Sequence, residues 1–487
     1  MASMQKLLAR LAARPAALIL LTGLVLNLSG TWLLPLIDRD EPRFAEASRE
    51  MRERGAWVVP TFNGEPRYDK PPLIYWAQML ADGVLGESPL AARLPSALFA
   101  TGAALLIFYW GRRLAAPRTA LAAAVIFLTT VQMAIHARLA VADMPMVFFV
   151  TAAGWSGWEM TRPGVTRRGG WWLMFYTSLA LGFLAKGPVA WLPLGGLLLG
   201  RWRQPQQFVL PVAGVALGML LNLGLVGLWG IPALLQTHGE FLRIGLGHHV
   251  IFRSFGVMDG HGAGGVAGWI LTSPMFLVTF FFSFFPWALS VPRGLREWWP
   301  SRHTDVAGWY LLTQAGLVFL VFSMVRTKLP HYTLPAFPFL AIWLARMAAE
   351  GRLPKLNGAR TATVMAALIV GATMAMGPAL SPFFAAHALF EKARPELRPD
   401  MRMANVQYTE PSLVWEFRGV LTNNVENLAD GEAVKYMQDP RPAVLVMPTA
   451  FYESNLARWP GGMTVEQIRG INWSRSARLE LTALIRR

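Results

Sequence analysis

The sequence predicts a mainly helical, polytopic membrane protein of about eleven spans, up to thirteen, with outer interfacial helices and a small C-terminal α/β soluble domain. Three observations lead there. Hydrophobic residues fill 54% of the 487 positions and charged residues only 15%, short of the quarter or so a soluble surface needs. Apolar stretches close to the ~20 residues that cross a bilayer recur along the chain. The 20 Trp and 28 Phe suit lipid contact and membrane interfaces. A division into soluble domains of about 150 residues each is thereby excluded.

The apolar stretches lie near 15–36, 92–111, 119–135, 144–160, 171–185, 187–200, 208–230, 268–292, 306–325, 331–349 and 361–380. The fifth and sixth are short and meet at Lys186-Gly187-Pro188, where neighbouring helices must satisfy the backbone groups that Pro and Gly release. Basic residues cluster in alternate connections: Lys6, Arg10 and Arg14; Arg112, Arg113 and Arg118; Arg162, Arg167 and Arg168; Arg201 and Arg203; Arg293, Arg296 and Arg302; Arg352, Lys355 and Arg360. All six fall on one side of an eleven-span alternation, which makes the N-terminus cytoplasmic and the C-terminal segment external. The first stretch reads as an uncleaved span rather than a secretory signal, being long and followed by no small-x-small site. The net charge of +16 belongs to these clusters, so position argues against the nucleic-acid binding that a basic chain otherwise suggests. With no Cys there is no disulfide, thiolate nucleophile or Cys-zinc site.

Three external segments exceed simple turns: about 37–91, about 232–267, and the tail from about 384. We divide the chain into a membrane domain, 1–383, which includes loop 37–91, and a soluble domain, 384–487. In the tail, Ala443 to Met447 reads as a strand and Pro411 to Arg418 as a helix.

The external face carries the chemistry. Of eight His, only His303 lies in a cytoplasmic loop; His136, His238, His248, His249, His261, His331 and His387 lie outside or at outer helix ends. Lys70, Lys186 and Lys328 are external too, against the positive-inside tendency. Ionisable groups beside membrane-depth helices are functional candidates by default. Loop 37–91 is the densest region, with Asp38-Arg39-Asp40-Glu41-Pro42-Arg43 and Arg67-Tyr68-Asp69-Lys70-Pro71-Pro72. Pro42 suits the first turn of a helix and Gly55 its end. A second helix from Pro71 would place Leu73, Trp76, Met79 and Leu80 on one face, so both helices would lie flat in the interface. Bland roles compete at every position. Asp40, Glu41 or Asp69 could cap helices, and Arg43 and Arg49 could be solvated. Lys186 and Lys328 could snorkel to lipid phosphates. Asp38-x-Asp40 could bind a divalent cation. His248, His249 and His261 could bind zinc, although nearness in sequence does not supply converging ligands.

Five motifs in order carry a resemblance: Asp40-Glu41-Pro42-Arg43-Phe44-Ala45-Glu46; Asp69-Lys70-Pro71-Pro72; Arg138 to Pro145; Leu184-Ala185-Lys186-Gly187-Pro188; and Thr327-Lys328-Leu329-Pro330-His331-Tyr332. Tyr408 to Leu413 adds to it. Together they resemble the aminoarabinose lipid A transferase group within the protein-mannosyltransferase-like GT-C membrane glycosyltransferases. The resemblance implies a transferase that takes a sugar from a polyprenyl-phosphate donor to a lipid, glycan or protein acceptor, in the bacterial inner membrane with its site facing the periplasm. It implies Asp40 as base or orienting carboxylate, with Asp143 as a second acid. Arg43, Lys70 and Tyr332 would hold donor phosphate. Arg253, in the stretch Gly247 to Arg253, is read from the residues as another candidate phosphate contact, and Lys186 and Lys328 are further candidates. Asp69 and His331 match positions tied to a divalent metal, the one candidate cofactor, although Asp stands where Glu is expected. Cations preorganised at a departing phosphate stabilise developing charge, a carboxylate can take the acceptor proton, and one direct displacement inverts the anomeric carbon. A lipid or sugar transporter is the alternative; it would bring internal repeats with broken helices, and the sequence shows no such repeat.

Overall fold

The computed structural model describes residues 14–252, 265–353 and 358–487. Each of the eleven apolar stretches contains helix. Among the described residues, five helices are long and apolar enough to cross a membrane by length and composition: Pro89–Leu114, Val212–Gln236, Val306–Met324, Pro330–Ala349 and Gly358–Phe383. A sixth follows if Gly268–Ser283 and Trp287–Ser301, bent by 111°, form one span. Pro15–Leu28 and Pro117–Leu128 are apolar but shorter. The chain divides into two compact units: 1–28, 68–74 and 94–370 in the first, 29–67, 75–93 and 371–487 in the second.

In the first unit, aromatic side chains fill the core, among them Trp110, Trp343, Tyr176, Tyr310, Phe175 and Phe284, all nearly inaccessible. Small residues let the helices close on them. A Cβ on Gly218 would lie 2.1 Å from the Tyr176 ring, and one on Gly154 would lie 2.4 Å from Phe339, so these crossings need glycine. Pro330–Ala349 is mostly buried inside the bundle, whereas Val212–Gln236 is mostly exposed and presents Leu217, Leu220, Leu228 and Leu235 outward. Apolar side chains can face outward in this way where the solvent is lipid.

Two helices fix the site. Asp143–Thr161 and Arg168–Lys186 are each 19 residues long, pack on one another, and are joined by a short turn. Equal lengths in a hairpin bring the first residue of one level with the last residue of the other. Lys186 ends its helix because Gly187 takes φ +80° and Pro188 opens a 3-10 turn, Pro188–Trp191, a conformation that glycine enters without Cβ strain.

The second unit joins most of loop 37–91 to the tail. The tail carries a five-stranded sheet of β3 (Arg402–Asn405), β4 (Val425–Asn427), β5 (Ala443–Pro448), β6 (Thr464–Asn472) and β7 (Ala477–Arg486), in the order β4-β3-β5-β7-β6; β1 (Thr61–Phe62) and β2 (Glu65–Pro66) form a hairpin in the loop. β3 runs parallel to β4 and β5, while β7 is antiparallel to β5 and β6. Alternation sends Val444 and Val446 toward the Ala385–Ala393 and Pro411–Arg418 helices, and Leu445 and Met447 toward Ala433–Gln438. Both faces of β5 are buried, which makes it continuously apolar.

The loop helix Asp40–Glu53 packs on Pro411–Arg418 through polar groups. The Arg49 guanidinium lies 3.9 Å from the Trp415 ring centroid and donates to the Trp415 carbonyl (3.0 Å) and to Glu46 (2.7 Å). Arg418 reaches Glu46 (3.2 Å) and Glu53 (2.9 Å). Asn63 exchanges two 2.8 Å hydrogen bonds with the Val425 backbone. Next to it, Gly64 (φ +81°) leaves no room for a Cβ against Asn424. The second loop helix, Leu73–Leu85, differs from the expected face: Tyr75, Gln78, Met79 and Asp82 are buried, while Leu80 is 65% exposed. A polar partner decides this face, since Gln78 accepts from Ser48 (2.7 Å) and donates to the Ala92 carbonyl (3.0 Å).

Arg93, 2% exposed, holds Glu41 through two bonds of 2.7 and 2.8 Å and donates to the carbonyls of Thr31, Leu34 and Pro35. Glu41 is thus a structural anchor. Arg93→Ala strands a buried carboxylate and three carbonyls, so it should cost ~3–5 kcal/mol. Thermal unfolding of the detergent-solubilised protein checks this; an unchanged midpoint would contradict it.

Candidate active site

The first unit contains a cavity of about 460 Å³. One part of its wall is apolar, with Phe183, Leu192, Val226, Trp229, Leu234 and Phe322. The other is polar, with Asp69, Lys70, Asp143, Lys186, His331 and Tyr332. Phe241–Phe252, a π-helix, turns Phe241, Leu242, Gly245 and Leu246 toward it. Phe241 packs edge-on against Tyr68 and Trp229, with centroids 5.6 and 5.0 Å apart. A Cβ on Gly245 would sit 2.8 Å from the Tyr68 carbonyl oxygen, so this position requires a bare backbone.

The hairpin brings Asp143 and Lys186 together: Lys186 Nζ lies 2.5 Å from Asp143 Oδ1. An anion at a helix N-terminus and a cation at a C-terminus are each favoured by the peptide dipoles. The sequence folds these ends so that both residues satisfy their own helix and each other. Lys186 Nζ also faces the Tyr332 ring at 5.9 Å, and His331 meets Tyr332 edge-on at 5.1 Å. His136, 7% exposed, packs against His331 with centroids 5.0 Å apart. Ligand atoms of His136, Asp143 and His331 all lie within 4.8 Å of one another. Asp69 lines the same cavity and is not one of these three. Lys70 Nζ donates to the Asp69 carbonyl (3.2 Å).

The remaining candidates are distributed differently. Lys328, 4% exposed, donates to the carbonyls of Ser323 (3.0 Å) and Val325. It thus satisfies acceptors at the end of the Val306–Met324 helix, a role open to any Lys near a C-terminus. Asp40 and Arg43 belong to the second unit, on the Asp40–Glu53 helix; Asp40 is exposed and Arg43 half-buried. Arg253 and His261 lie outside the described residues, as does the side chain of His249. His248 stacks on Phe252 at 5.3 Å.

Around Asp40 the backbone is tied down. Asp38 accepts from Ser412 N (2.8 Å) and Ser412 Oγ (2.5 Å), so its oxygens are committed to the tail rather than paired with Asp40 as a cation site. Arg39 reaches Glu410 at 3.3 Å, and Glu410 accepts from Asn472 (3.0 Å) and Ser474 (2.8 Å). Residues 38 and 39 are anchored to 410 and 412, and Asp40 follows them with its carboxylate in solvent. Neither His136 nor Ser412 was legible as part of a site: His136 is one His among seven on its side, and Ser412 lies 374 residues from its partner.

Comparisons with known proteins bear on the fold and the family. Residues 69–233 match the family model for dolichyl-phosphate-mannose-protein mannosyltransferase. An undecaprenyl phosphate-alpha-4-amino-4-deoxy-L-arabinose arabinosyl transferase of Edwardsiella ictaluri is 31% identical over 343 residues, 67% of this chain and 60% of that protein. An uncharacterised Aquifex aeolicus protein is 30% identical over 326 residues, 67% of this chain and 71% of that one. The crystal structure of ArnT from Cupriavidus metallidurans bound to undecaprenyl phosphate superposes with a TM-score of 0.78 at 18% identity, covering 96% of this chain and 97% of that one. The helical fold is the one that the Cupriavidus structure shows. The chain belongs to the aminoarabinose transferase-like, protein mannosyltransferase-like family of GT-C membrane glycosyltransferases. It spans 60% of the length of the Edwardsiella relative.

Burial pushes the Asp38 carboxyl up from 3.8 to about 6, against the pull of the two Ser412 donors. A folded value above the unfolded one means that the protonated form favours folding. The contribution is full below pH 3.8 and is lost as pH rises through about 6. Thermal midpoints of wild type and Asp38→Asn between pH 4 and 8 should therefore diverge, with wild type losing more over that interval. Parallel profiles would refute the assignment.

Proposed function

We propose that this chain transfers a sugar from a polyprenyl-phosphate donor of the undecaprenyl-phosphate type to a lipid A, glycan or protein acceptor, by direct inverting displacement at the periplasmic face of the bacterial inner membrane. One observation carries the reading: a single cavity joins an apolar wall to an end bearing Lys70, Lys186, Asp69, Asp143, His331 and Tyr332. A lipid-linked phosphate has that same division of chemistry. The named activity of the Edwardsiella relative and the ligand named for the Cupriavidus structure support it.

In this reading each of the eleven apolar stretches is a crossing. Residues 1–383, with loop 37–91, form the catalytic membrane domain and 384–487 a soluble periplasmic domain. Lys70 and Tyr332 receive the donor phosphate, with Arg43 and Arg253 as further contacts, and stabilise charge as the phosphate departs. Asp40 takes the acceptor proton as base, or orients an acceptor that is itself a phosphate. Asp143 keeps Lys186 charged and in place. A carboxylate and cations suffice for one displacement, and no covalent intermediate is needed.

The test is transfer of labelled sugar from synthetic polyprenyl-phosphate sugar by detergent-solubilised protein. Asp40→Asn should lower turnover by ~10²–10⁴-fold and Lys70→Ala by ~10²–10³-fold. Wild-type turnover in both folded variants would overturn the assignment. Product formed without a sealed bilayer excludes a transporter, and its absence for every acceptor class would favour one.

A further inference from the structure

The geometry points to a binding site for an anionic phospholipid headgroup at the end of the first unit away from the cavity, where the turn 299–305 gathers Arg203 and Arg302 beside two exposed tryptophans. Helix direction places it there. Leu192 and Phe322 line the cavity, and their helices, Leu192–Arg203 and Val306–Met324, have their other ends at Arg203 and Val306. At the ordinary helical rise those ends lie about 17 and 24 Å from the cavity residues. Three of the six basic clusters of the sequence meet on the turn. Arg203 donates to His303 Nδ1 (3.2 Å) and Arg352 to the Ser301 hydroxyl (2.7 Å), while Arg302 belongs to the turn itself.

The turn is held from within, and its carboxylates are committed elsewhere. Asp305 accepts from Gly308 N (2.9 Å), Trp298 Nε1 (3.1 Å) and Arg346 (3.0 Å), so its charge is used inside the fold. Glu350 takes Arg352 (3.1 Å) and a second side of Arg346 (3.6 Å). Among the described residues, Arg203 and Arg302 have neutral partners only. Arg203 has the His303 imidazole; Arg302 lies 4.6 Å from the Trp299 ring centroid and donates to the Trp299 carbonyl (2.9 Å). Two guanidiniums without a carboxylate keep their full charge, and their planar forks match the oxygens of a phosphate. The stack on Trp299 and the bond to His303 hold both in place before any ligand arrives.

Apolar surface continues from these cations and selects a lipid over a soluble anion. Trp202 is 79% and Trp299 60% exposed, and Leu199 and Leu295 are exposed as well. Leu199 stands four residues before Arg203 and therefore shares its helix face. A soluble phosphate has no use for such a surface. A phospholipid uses all of it, with acyl chain against leucine, phosphate against arginine, and tryptophan at headgroup level. A zwitterionic head would bring its own cation to a patch already cationic, so the anionic head is the one that fits. The inference goes beyond the proposed reaction and does not rest on it, because lipid binding is read without turnover.

The test titrates full-length protein in detergent with phosphatidylglycerol or phosphatidylcholine of the same acyl chains and follows bound lipid by native mass spectrometry. Wild type should bind phosphatidylglycerol at least ~tenfold more tightly, and the double variant Arg203→Ala/Arg302→Ala should lose ~10–30-fold of that affinity. Arg112→Ala/Arg118→Ala removes the same charge from exposed positions of another basic cluster and should bind as wild type does. Lys70→Ala, on the cavity wall, should bind likewise, and excess glycerol 3-phosphate should not displace the lipid. Equal wild-type affinity for the two lipids, a result that no variant's folding affects, would overturn the site. So would undiminished binding in the folded Arg203→Ala/Arg302→Ala protein, or an equal loss in both double variants, which would mean bulk charge. Loss in Lys70→Ala would put the lipid in the cavity, and displacement by glycerol 3-phosphate would make the ligand a soluble anion; either refutes the proposal.

Discussion

The ion pair between Lys186 and Asp143 is the constraint on which the site depends. Both residues are largely buried, and a charge removed from water is costly unless it is paired closely and hydrogen-bonded. The 2.5 Å contact supplies that pairing, and the ends of two antiparallel helices add to it. Each helix end favours its residue by ~0.3–1 kcal/mol. Loss of either partner would leave the other as an uncompensated charge in an apolar bundle, so the pair fixes the hairpin as much as the hairpin fixes the pair. Tyr332, His331 and His136 pack in succession from that fixed point.

The second unit is organised by a different logic. The Asp40–Glu53 helix of loop 37–91 buries Glu46, Ser48, Arg49 and Glu50 alongside Phe44, Ala47 and Met51. Charged groups share this buried face with apolar ones, and Glu46, Arg49 and Glu50 each have a partner in the loop or the tail. Burial still leaves its mark: the Glu46 carboxyl is pushed up to about 7 by desolvation despite the two Arg beside it, and Asp82 rises to about 7 for the same reason, with Glu87 adding to it. A buried polar interface of this kind has strict geometry, since a buried polar group left without a partner is costly.

Much of this was legible in the sequence where local pattern decides structure. The Pro411–Arg418 helix and the Ala443–Pro448 strand follow from periodicity and flanking residues; Lys186 could be singled out as a charge at an outer helix end, and Asp143 only through family resemblance. What escaped is what depends on distant partners. The apolar stretch 268–292 reads as one span, yet helix stops at Thr272 and again at Ser283, each time near a proline that cannot donate to the preceding turn. The burial of Gln78 rather than Leu80 depends on Ser48, thirty residues away. The meeting of His136 with His331 depends on two elements whose contact no local pattern encodes.

The three outer lysines make the same point most sharply. Lys70, Lys186 and Lys328 share a residue type, an expected external placement and a position near a helix end, so sequence alone gives them one description. Their partners separate them. Lys328 is turned onto neutral carbonyls at a helix terminus. Lys186 is held against a carboxylate, so much of its charge is already balanced and its value to an anion is chiefly positional. Lys70 donates to a carbonyl and lies on the cavity wall. It is carried on Asp69-Lys70-Pro71-Pro72, where each proline biases the residue before it toward extended backbone. A cation on a stiffened segment, beside an apolar wall, costs little reorganisation when an anion arrives. The same ammonium group thus becomes a helix cap, a counter-ion or a cation on a cavity wall according to what its fold sets beside it.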